Sequence, residues 1–128
     1  MHSVLISLAS NSEQEENLSE ARKALAQVLL SPVYTPAIWT EPYGKSRTAN
    51  PQKYLNQLVS AETCLDADEL NSRLKAIEQA QGRNDEARQQ GIVPIDLDLL
   101  QHDGQRYHLR DWSRSYIRDL LPLAFGNH

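Results

Sequence analysis

The sequence is poor in cysteine, in long apolar runs and in excess positive charge, and each deficit excludes a class of protein. Its 128 residues include one cysteine, Cys64, which excludes a disulfide framework and a cysteine-ligated zinc site. No apolar run approaches the ~20 residues of a membrane-spanning helix. The apolar run at 3–9 is too short for a signal peptide, so we expect a cytoplasmic protein without a membrane partner.

Acidic residues outnumber basic residues. The chain has 17 Asp and Glu against 13 Lys and Arg, and its formal net charge is −4. Nucleic-acid-binding proteins show a basic face instead, so we expect no nucleic-acid partner. Apolar residues make up 40% and charged residues 23% of the chain, as in globular domains rather than disordered tails. We therefore expect residues 1–128 to form a single domain, and a monomer.

The hydrophobic pattern predicts alternating strands and helices. Alternation of apolar residues predicts strands over 3–9, 54–63 and 95–100. Residues 33–41 also look extended, but Pro36 interrupts them, which is typical of an edge strand or a bulge.

Helical spacing of apolar residues predicts three helices. The first spans roughly 15–30, the second runs from Asp66 as its N-cap to near Gly82, and the third spans 111–121. Between these elements, residues 42–53 form a candidate binding loop, and residues 83–92 form a polar linker. The order is therefore β-α-β-β-α-β followed by a helix. This order predicts an α+β, ferredoxin-like fold, with an antiparallel sheet and its helices on one face.

Two aspartates interrupt the apolar run "PIDLDLLQH" at 94–102. In a strand, residues two apart point to the same side, so Asp96 and Asp98 would project together from the face opposite the core. A divalent cation relieves the repulsion between such carboxylates, and Mg²⁺ favours a few carboxylates plus phosphates and water. The spacing alone leaves two interpretations open: a site for two Mg²⁺ ions on a polyphosphate, or a solvated face that carries two acids.

Several segments resemble one enzyme family in the same order along the chain. "IEQAQGR" at 77–83 followed by "IDLDLL" at 95–100 is the most specific match. Weaker matches are "SLASN" at 7–11, "WTEPYG" at 39–44, "KYLNQLVSAET" at 53–63 and "HLRDWSRSY" at 108–116. Together they resemble the 6-hydroxymethyl-7,8-dihydropterin pyrophosphokinase family of folate biosynthesis, whose fold is also ferredoxin-like.

The resemblance implies an activity and its cofactors. The family transfers pyrophosphate from ATP to the hydroxymethyl oxygen of the pterin and releases AMP. By position, Asp96 and Asp98 would bind two Mg²⁺ ions, and ATP would be the co-substrate. Arg83 and Arg114 would join the two aspartates as catalytic residues, with charge compensation and positioning as the main contributions to the rate.

The resemblance also implies the contacts of both substrates. For the pterin it implies stacking on Tyr54 and Tyr116, hydrogen bonding to Asn56, and a lining contact from Thr40. For the phosphates of ATP, where guanidinium forks suit the oxygens, it implies the following residues: Arg83, Arg88, His108, Arg110 and Arg114.

Considered alone, these residues have structural alternatives. The two tyrosines also suit a half-buried core, Asn56 an outward strand position, and His108 a surface position. Arg110, Arg114 and Arg118 recur every four residues, as on the solvated face of a helix.

The chain also departs from the family pattern. Asp85, Gln90 and Val93 occupy positions where the family carries Arg, Trp and Arg, and Arg88 lies out of register. Ala9 replaces a glycine, and the segment between Asp98 and His108 is short. Three hypotheses follow: an active pyrophosphokinase, a non-catalytic pterin- or nucleotide-binding descendant, or an unrelated ferredoxin-like interaction domain.

Overall fold

The structure, a computed structural model, describes residues 1–42 and 52–125. Its strands are β1 (His2–Ser10), β2 (Leu30–Tyr34), β3 (Ile38–Thr40), β4 (Tyr54–Thr63), β5 (Asp96–His102) and β6 (Gln105–Arg106). Its α-helices are α1 (Gln14–Leu25), α2 (Ala67–Ala80), α3 (Asp85–Gln89) and α4 (Ser115–Ala124), with a 3₁₀ helix over Leu109–Ser113. None of these described helices is long and apolar enough to cross a bilayer.

The strands form one antiparallel sheet. Its order is β2-β4-β1-β5-β6, and β3 pairs with β4 beyond the end of β2. The long strands β4 and β5 both pair with β1, so β1 lies at the centre. This order confirms the predicted ferredoxin-like, α+β fold, and the break between β2 and β3 at residues 35–37 confirms the predicted interruption near Pro36.

One face of the sheet packs against α1 and α2. Val4, Ile6 and Leu8 of β1 and Leu97 of β5 belong to this core, together with Leu18, Ala21 and Leu25 of α1 and Leu70 and Leu74 of α2. Each of these side chains is almost completely buried. Asp66 caps α2, accepting a hydrogen bond from the Glu69 backbone N–H at 2.8 Å in a capping box, as predicted for this residue.

The opposite face has a second, smaller core. Leu5, Leu58 and Leu100 pack there against Ile117 and Leu120 of α4. The amphipathic helix α4 therefore covers part of the face that Asp96 and Asp98 share, and it closes one side of the space above them.

Three predicted boundaries are wrong. The first helix ends at Leu25 rather than near 30, because Leu29 is buried ahead of β2 and Leu30 already pairs with Glu62. The predicted linker 83–92 contains α3, whose N-cap Asn84 accepts from the Ala87 N–H at 2.8 Å. The last helix starts at Ser115, after the 3₁₀ turn. Most of the predicted binding loop, residues 43–51, lies outside the described residues.

Candidate active site

The register of the three central strands aligns a polar row across the sheet. Ala9 of β1 pairs with Asn56 of β4 on one side and with Asp96 of β5 on the other. Cross-strand partners share a face of the sheet, so Asn56 and Asp96 flank the small side chain of Ala9. This arrangement leaves space above Ala9 between an amide and a carboxylate.

That space is a cavity of about 150 Å³. Strands β1, β4 and β5 form its floor, and the segment from the 3₁₀ helix to the start of α4 forms one wall. Its lining residues are Ala9, Tyr54, Asn56, Asp96, Asp98, Asp111, Arg114 and Tyr116. Six of the residues predicted for the site therefore meet in one cavity: Tyr54, Asn56, Asp96, Asp98, Arg114 and Tyr116.

The two carboxylates of β5 have different surroundings. Arg83, which follows α2, donates through Nη1 to Asp96 Oδ1 at 2.8 Å. Asp98 has a less exposed side chain, at 18% against 33% for Asp96. Lys75 Nζ and His108 Nε2 each lie 3.8 Å from Asp98 Oδ1, beyond hydrogen-bonding distance. Asp96 is therefore tightly paired, whereas among residues 1–42 and 52–125 the cations near Asp98 lie at longer range.

The difference appears in the ionisation of Asp98. Burial and, second, the negative charge of Asp96 raise the pKa of the Asp98 carboxyl from 3.8 to about 6, and His108 and Lys75 oppose the rise. Desolvation and a neighbouring like charge both disfavour the anion. Perturbed carboxyls of this kind concentrate at functional sites.

Glu78 is a site residue that sequence reasoning missed. This buried side chain accepts from the Leu97 N–H at 2.7 Å and from Lys75 Nζ at 3.3 Å, and it forms an ion pair with Arg83 Nη1 at 3.0 Å. Glu78 therefore contacts both Lys75 and Arg83, the cations nearest Asp98 and Asp96. Its hydrogen bond with Leu97 attaches α2 to β5 between the two aspartates. The available signal was its spacing, since Glu78 follows Leu74 by four residues on the buried stripe of α2.

Asn56 is buried and fixed by protein oxygens. Its Nδ2 donates to Thr40 Oγ1 at 2.7 Å and lies 3.3 Å from the carbonyl oxygens of Ile38 and Tyr54. The structure therefore connects Thr40 with the cavity through Asn56. The amide nitrogen is engaged by the protein, and the Oδ1 atom is the group that Asn56 has to offer a ligand.

The two tyrosines differ in burial. Tyr54 is half-buried, and burial, reinforced by the charge of Asp96 and opposed by Arg83, raises the pKa of its phenol. Tyr116 is 8% exposed and packs in the core below α4 while it also lines the cavity. The core interpretation and the ligand interpretation of Tyr116 are therefore compatible.

The predicted phosphate-binding cations divide into two groups. Arg114 lines the cavity and donates through Nε to Asp111 Oδ1 at 2.9 Å. Arg83 and His108 do not line the cavity, but Arg83 contacts Asp96 and His108 lies 3.8 Å from Asp98. Arg88 and Arg110 are exposed and do not line the cavity. Arg88 lies on α3, where it pairs with Asp85 at 3.4 Å.

The donor set suits a hard cation. Asp96 and Asp98 offer carboxylate oxygens to one cavity, and oxygen ligands are those that Mg²⁺ prefers. Burial and, second, the charge of Asp96 raise the pKa of the Asp98 carboxyl, and a divalent ion would relieve the repulsion between the two carboxylates. The residues present therefore fit the metal that the family resemblance implies.

Comparison with known proteins identifies the family. The family model for 7,8-dihydro-6-hydroxymethylpterin-pyrophosphokinase matches residues 5–124. The chain is 32% identical over 140 residues to the mitochondrial folate synthesis bifunctional protein of Arabidopsis thaliana, covering 98% of this chain and 24% of that protein. It is 28% identical over 131 residues to a second folate synthesis bifunctional protein of the same plant, covering 94% and 26%.

This chain thus spans about a quarter of the length of these curated relatives. The family model, in contrast, extends over nearly all of it. The resemblance that rests on "IEQAQGR" and "IDLDLL" is confirmed, and the chain belongs to the 7,8-dihydro-6-hydroxymethylpterin-pyrophosphokinase family.

Proposed function

We propose that this chain transfers pyrophosphate from ATP to the hydroxymethyl oxygen of 6-hydroxymethyl-7,8-dihydropterin in folate biosynthesis. The hydroxymethyl oxygen bonds to the β-phosphorus, the bond from that phosphorus to the α,β-bridging oxygen breaks, and AMP leaves while the hydroxyl proton is released. The observation that carries the proposal is one cavity that combines two tyrosines and a buried amide with two strand carboxylates and an arginine.

The pterin end of this proposal rests on Tyr54, Asn56 and Tyr116. Tyrosine faces stabilise a flat heterocycle by stacking. With its nitrogen engaged by Thr40 and two carbonyls, Asn56 presents Oδ1 to an N–H of the pterin. The cavity volume of about 150 Å³ is below the ~300 Å³ of the smallest typical ligand pockets. It therefore suits the pterin ring alone, and the proposal assigns ATP to the space outside it.

The phosphate end rests on cations at the cavity rim. Arg83 and Arg114 supply positive charge around the aspartates, His108 lies 3.8 Å from Asp98, and guanidinium groups match phosphate oxygens in pairs. Glu78 and Asp96 hold Arg83 in place from two sides, so this side chain is oriented before the nucleotide arrives. Preorganised charge of this kind stabilises the transition state without reorganisation.

Asp96 and Asp98 would hold two Mg²⁺ ions in this proposal. When bound, the ions neutralise the phosphate charge and polarise the transferring group. The chain itself contributes the rigidity of β5, which fixes both carboxylates on one side of a central strand. It also contributes Lys75 and His108, which limit the repulsion at Asp98 while the site is free of metal.

A second candidate function is ligand binding without turnover. The observation that favours it is the composition of α3, which carries Asp85 and Glu86 and engages Arg88 in a pair with Asp85. A negative segment next to Arg83 opposes a polyphosphate. In this alternative the pterin binds in the cavity and the chain releases no AMP.

AMP release separates the two candidates. We expect release that requires ATP, Mg²⁺ and the hydroxymethyl pterin together, and a loss of at least ~100-fold in kcat for Asp98→Asn. Asp68→Asn, an exposed carboxylate at the start of α2, serves as the matched control and should retain activity. Background AMP release with pterin binding in calorimetry would support the non-catalytic alternative, and absence of binding by both substrates would refute the proposal.

The cytoplasmic location and the monomeric state remain predictions. One relative is named as mitochondrial, so the location needs a direct measurement by fractionation. Light scattering of the purified chain measures its mass against the 14.5 kDa of one copy.

A further inference from the structure

We propose that His2, His102 and Asp103 form a second metal site, for a divalent transition metal such as Zn²⁺. One ligand atom from each side chain lies within 4.8 Å of the others. The cluster lies where β1 begins and β5 ends, whereas the candidate active site lies at the other end of both strands. His102 and Asp96 are six residues apart on β5, which separates the two places by about 20 Å.

His102 is oriented as a metal ligand requires. Its ring is mostly buried, and Nε2 lies 3.0 Å from the carbonyl oxygen of Leu65. A carbonyl oxygen only accepts, so Nε2 carries the proton and Nδ1 carries the lone pair. That Nδ1 atom lies 3.8 Å from Asp103 Oδ2. Metal-bound histidines typically donate their other ring N–H to a carbonyl or carboxylate in this way.

Asp103 and His2 complete the ligand set. Asp103 Oδ1 accepts from the Ser3 N–H at 3.0 Å, which fixes the carboxylate, and His2 Nδ1 donates to Oδ2 at 2.8 Å. In a tetrahedral zinc site with bonds of about 2.0–2.1 Å, neighbouring ligand atoms lie ~3.3 Å apart. Asp103 Oδ2 lies 2.8 Å from His2 Nδ1 and 3.8 Å from His102 Nδ1, one distance below and one above that value. A cation at this point replaces the His2 proton as the partner of the carboxylate.

The ligand chemistry separates this site from the aspartate pair. Two imidazoles and one carboxylate suit Zn²⁺, Co²⁺, Ni²⁺ or Cu²⁺, whereas carboxylate oxygens alone suit Mg²⁺. Three protein ligands leave a fourth position for water. The alternative is a purely structural cluster, in which hydrogen bonds join His2, Ser3 and Asp103 and no metal binds.

A zinc titration distinguishes the two interpretations. The chain is prepared without a histidine tag and titrated with Zn²⁺ against a chromophoric chelator. We expect one ion per chain, with affinity at least ~10-fold lower in His2→Gln and in His102→Gln. His108→Gln is the matched control, because it removes an imidazole next to Asp98, and it should leave the affinity unchanged. Zn²⁺ should also raise the Tm of the parent and not that of His2→Gln, since a ligand of the folded state stabilises it.

Several outcomes would overturn the site. They are an absence of stoichiometric binding by the parent, equal affinity in His2→Gln, or loss of binding in His108→Gln. The same holds if Cys64→Ser, which removes the exposed thiol, abolishes binding. His102 is mostly buried, so if His102→Gln does not fold, the partly exposed His2 still decides the question. Visible absorption of bound Co²⁺ in the parent, absent in His2→Gln, gives an independent readout.

Discussion

The carboxylate of Asp98 is mostly buried and lies on the same face of β5 as a second carboxylate, that of Asp96. Its pKa of about 6 means that the folded chain holds a proton there at a pH at which the unfolded chain has lost it. The rise from 3.8 to about 6 corresponds to at most about 3 kcal/mol. The ionised Asp98 carboxylate, which suits a metal ion, therefore lowers the free energy of unfolding when no metal is bound.

Asp98→Asn should reverse this effect in a pH-dependent way. Below pH 4 the Asp98 carboxyl of the parent is protonated in both the folded and the unfolded state. Between about pH 4 and pH 6 only the folded state keeps this proton. The free energy of unfolding of the parent therefore falls as the pH rises through this range. The variant lacks this titration. We expect urea unfolding with a chelator present to show a gain over the parent that is about 1–3 kcal/mol larger at pH 7.5 than at pH 4.

Asp96→Asn is the matched comparison. It removes the negative charge that pairs with Arg83 at 2.8 Å and leaves burial, the largest cause of the Asp98 shift, unchanged. This variant should therefore keep most of the decline between pH 4 and pH 6. A difference between Asp98→Asn and the parent that is equal at both pH values would contradict the assignment.

That Asp96 and Asp98 share a face was predictable from alternation along a strand, whereas the family resemblance implied the other predicted residues of the cavity. Asp96 and Asp98 project opposite Leu97, and Asn56 aligns with them through the register of β1. The contacts of Glu78 with Leu97, Lys75 and Arg83 were not predictable, because they depend on residues of α2, of β5 and of the segment after α2. Such contacts depend on how α2 packs on the sheet, which periodicity alone does not specify.

Helix α2 and strand β5 are connected by one buried carboxylate. Glu78 contacts the Leu97 N–H, Lys75 and Arg83, and Glu78→Gln should lower the free energy of unfolding by about 1–3 kcal/mol. The loss should stay below the ~3–5 kcal/mol that results when one partner of a fully buried ion pair is removed. The side chains of Lys75 and Arg83 are 44% and 39% exposed, so water solvates their charges in the variant. Urea denaturation at pH 7.5 measures the loss.

Glu62→Gln provides the control for this prediction. Glu62 is exposed on β4, and the same substitution there should change the free energy by less than about 0.5 kcal/mol. Equal effects of both substitutions would mean that the Glu78 contacts contribute little to the attachment of α2.

The errors at the element scale have separate physical causes. The predicted first helix was too long because Val28 and Leu29 continue the apolar spacing, although Leu29 enters the core from the turn after α1. Helix α3 has no buried residue, so no hydrophobic stripe indicated it, and its signal was the cap at Asn84. The apolar spacing predicted a helix over 111–121 but not that it would cover the Asp96 face.

At the scale of the whole molecule, the chain combines a net negative charge with a site proposed to bind a polyphosphate. The formal net charge is −4, and Asp85 and Val93 occupy two positions near this site where the resemblance led us to expect arginines. Long-range repulsion lowers the local concentration of an anionic substrate. The exposed pair of Asp85 with Arg88 also reduces the positive charge that α3 offers.

Asp85→Arg tests whether the local charge on α3 or the total charge limits the nucleotide. It should lower the KM for ATP about threefold or more at low ionic strength, and the effect should diminish as salt screens it. Asp68→Arg changes the net charge by the same two units, from −4 to −2, at the start of α2 and on the side of His102. If α3 controls access, steady-state AMP release will show the lower KM for Asp85→Arg alone. An equal fall in both variants would assign the effect to the total charge, and no change in either would mean that electrostatic access does not limit ATP binding.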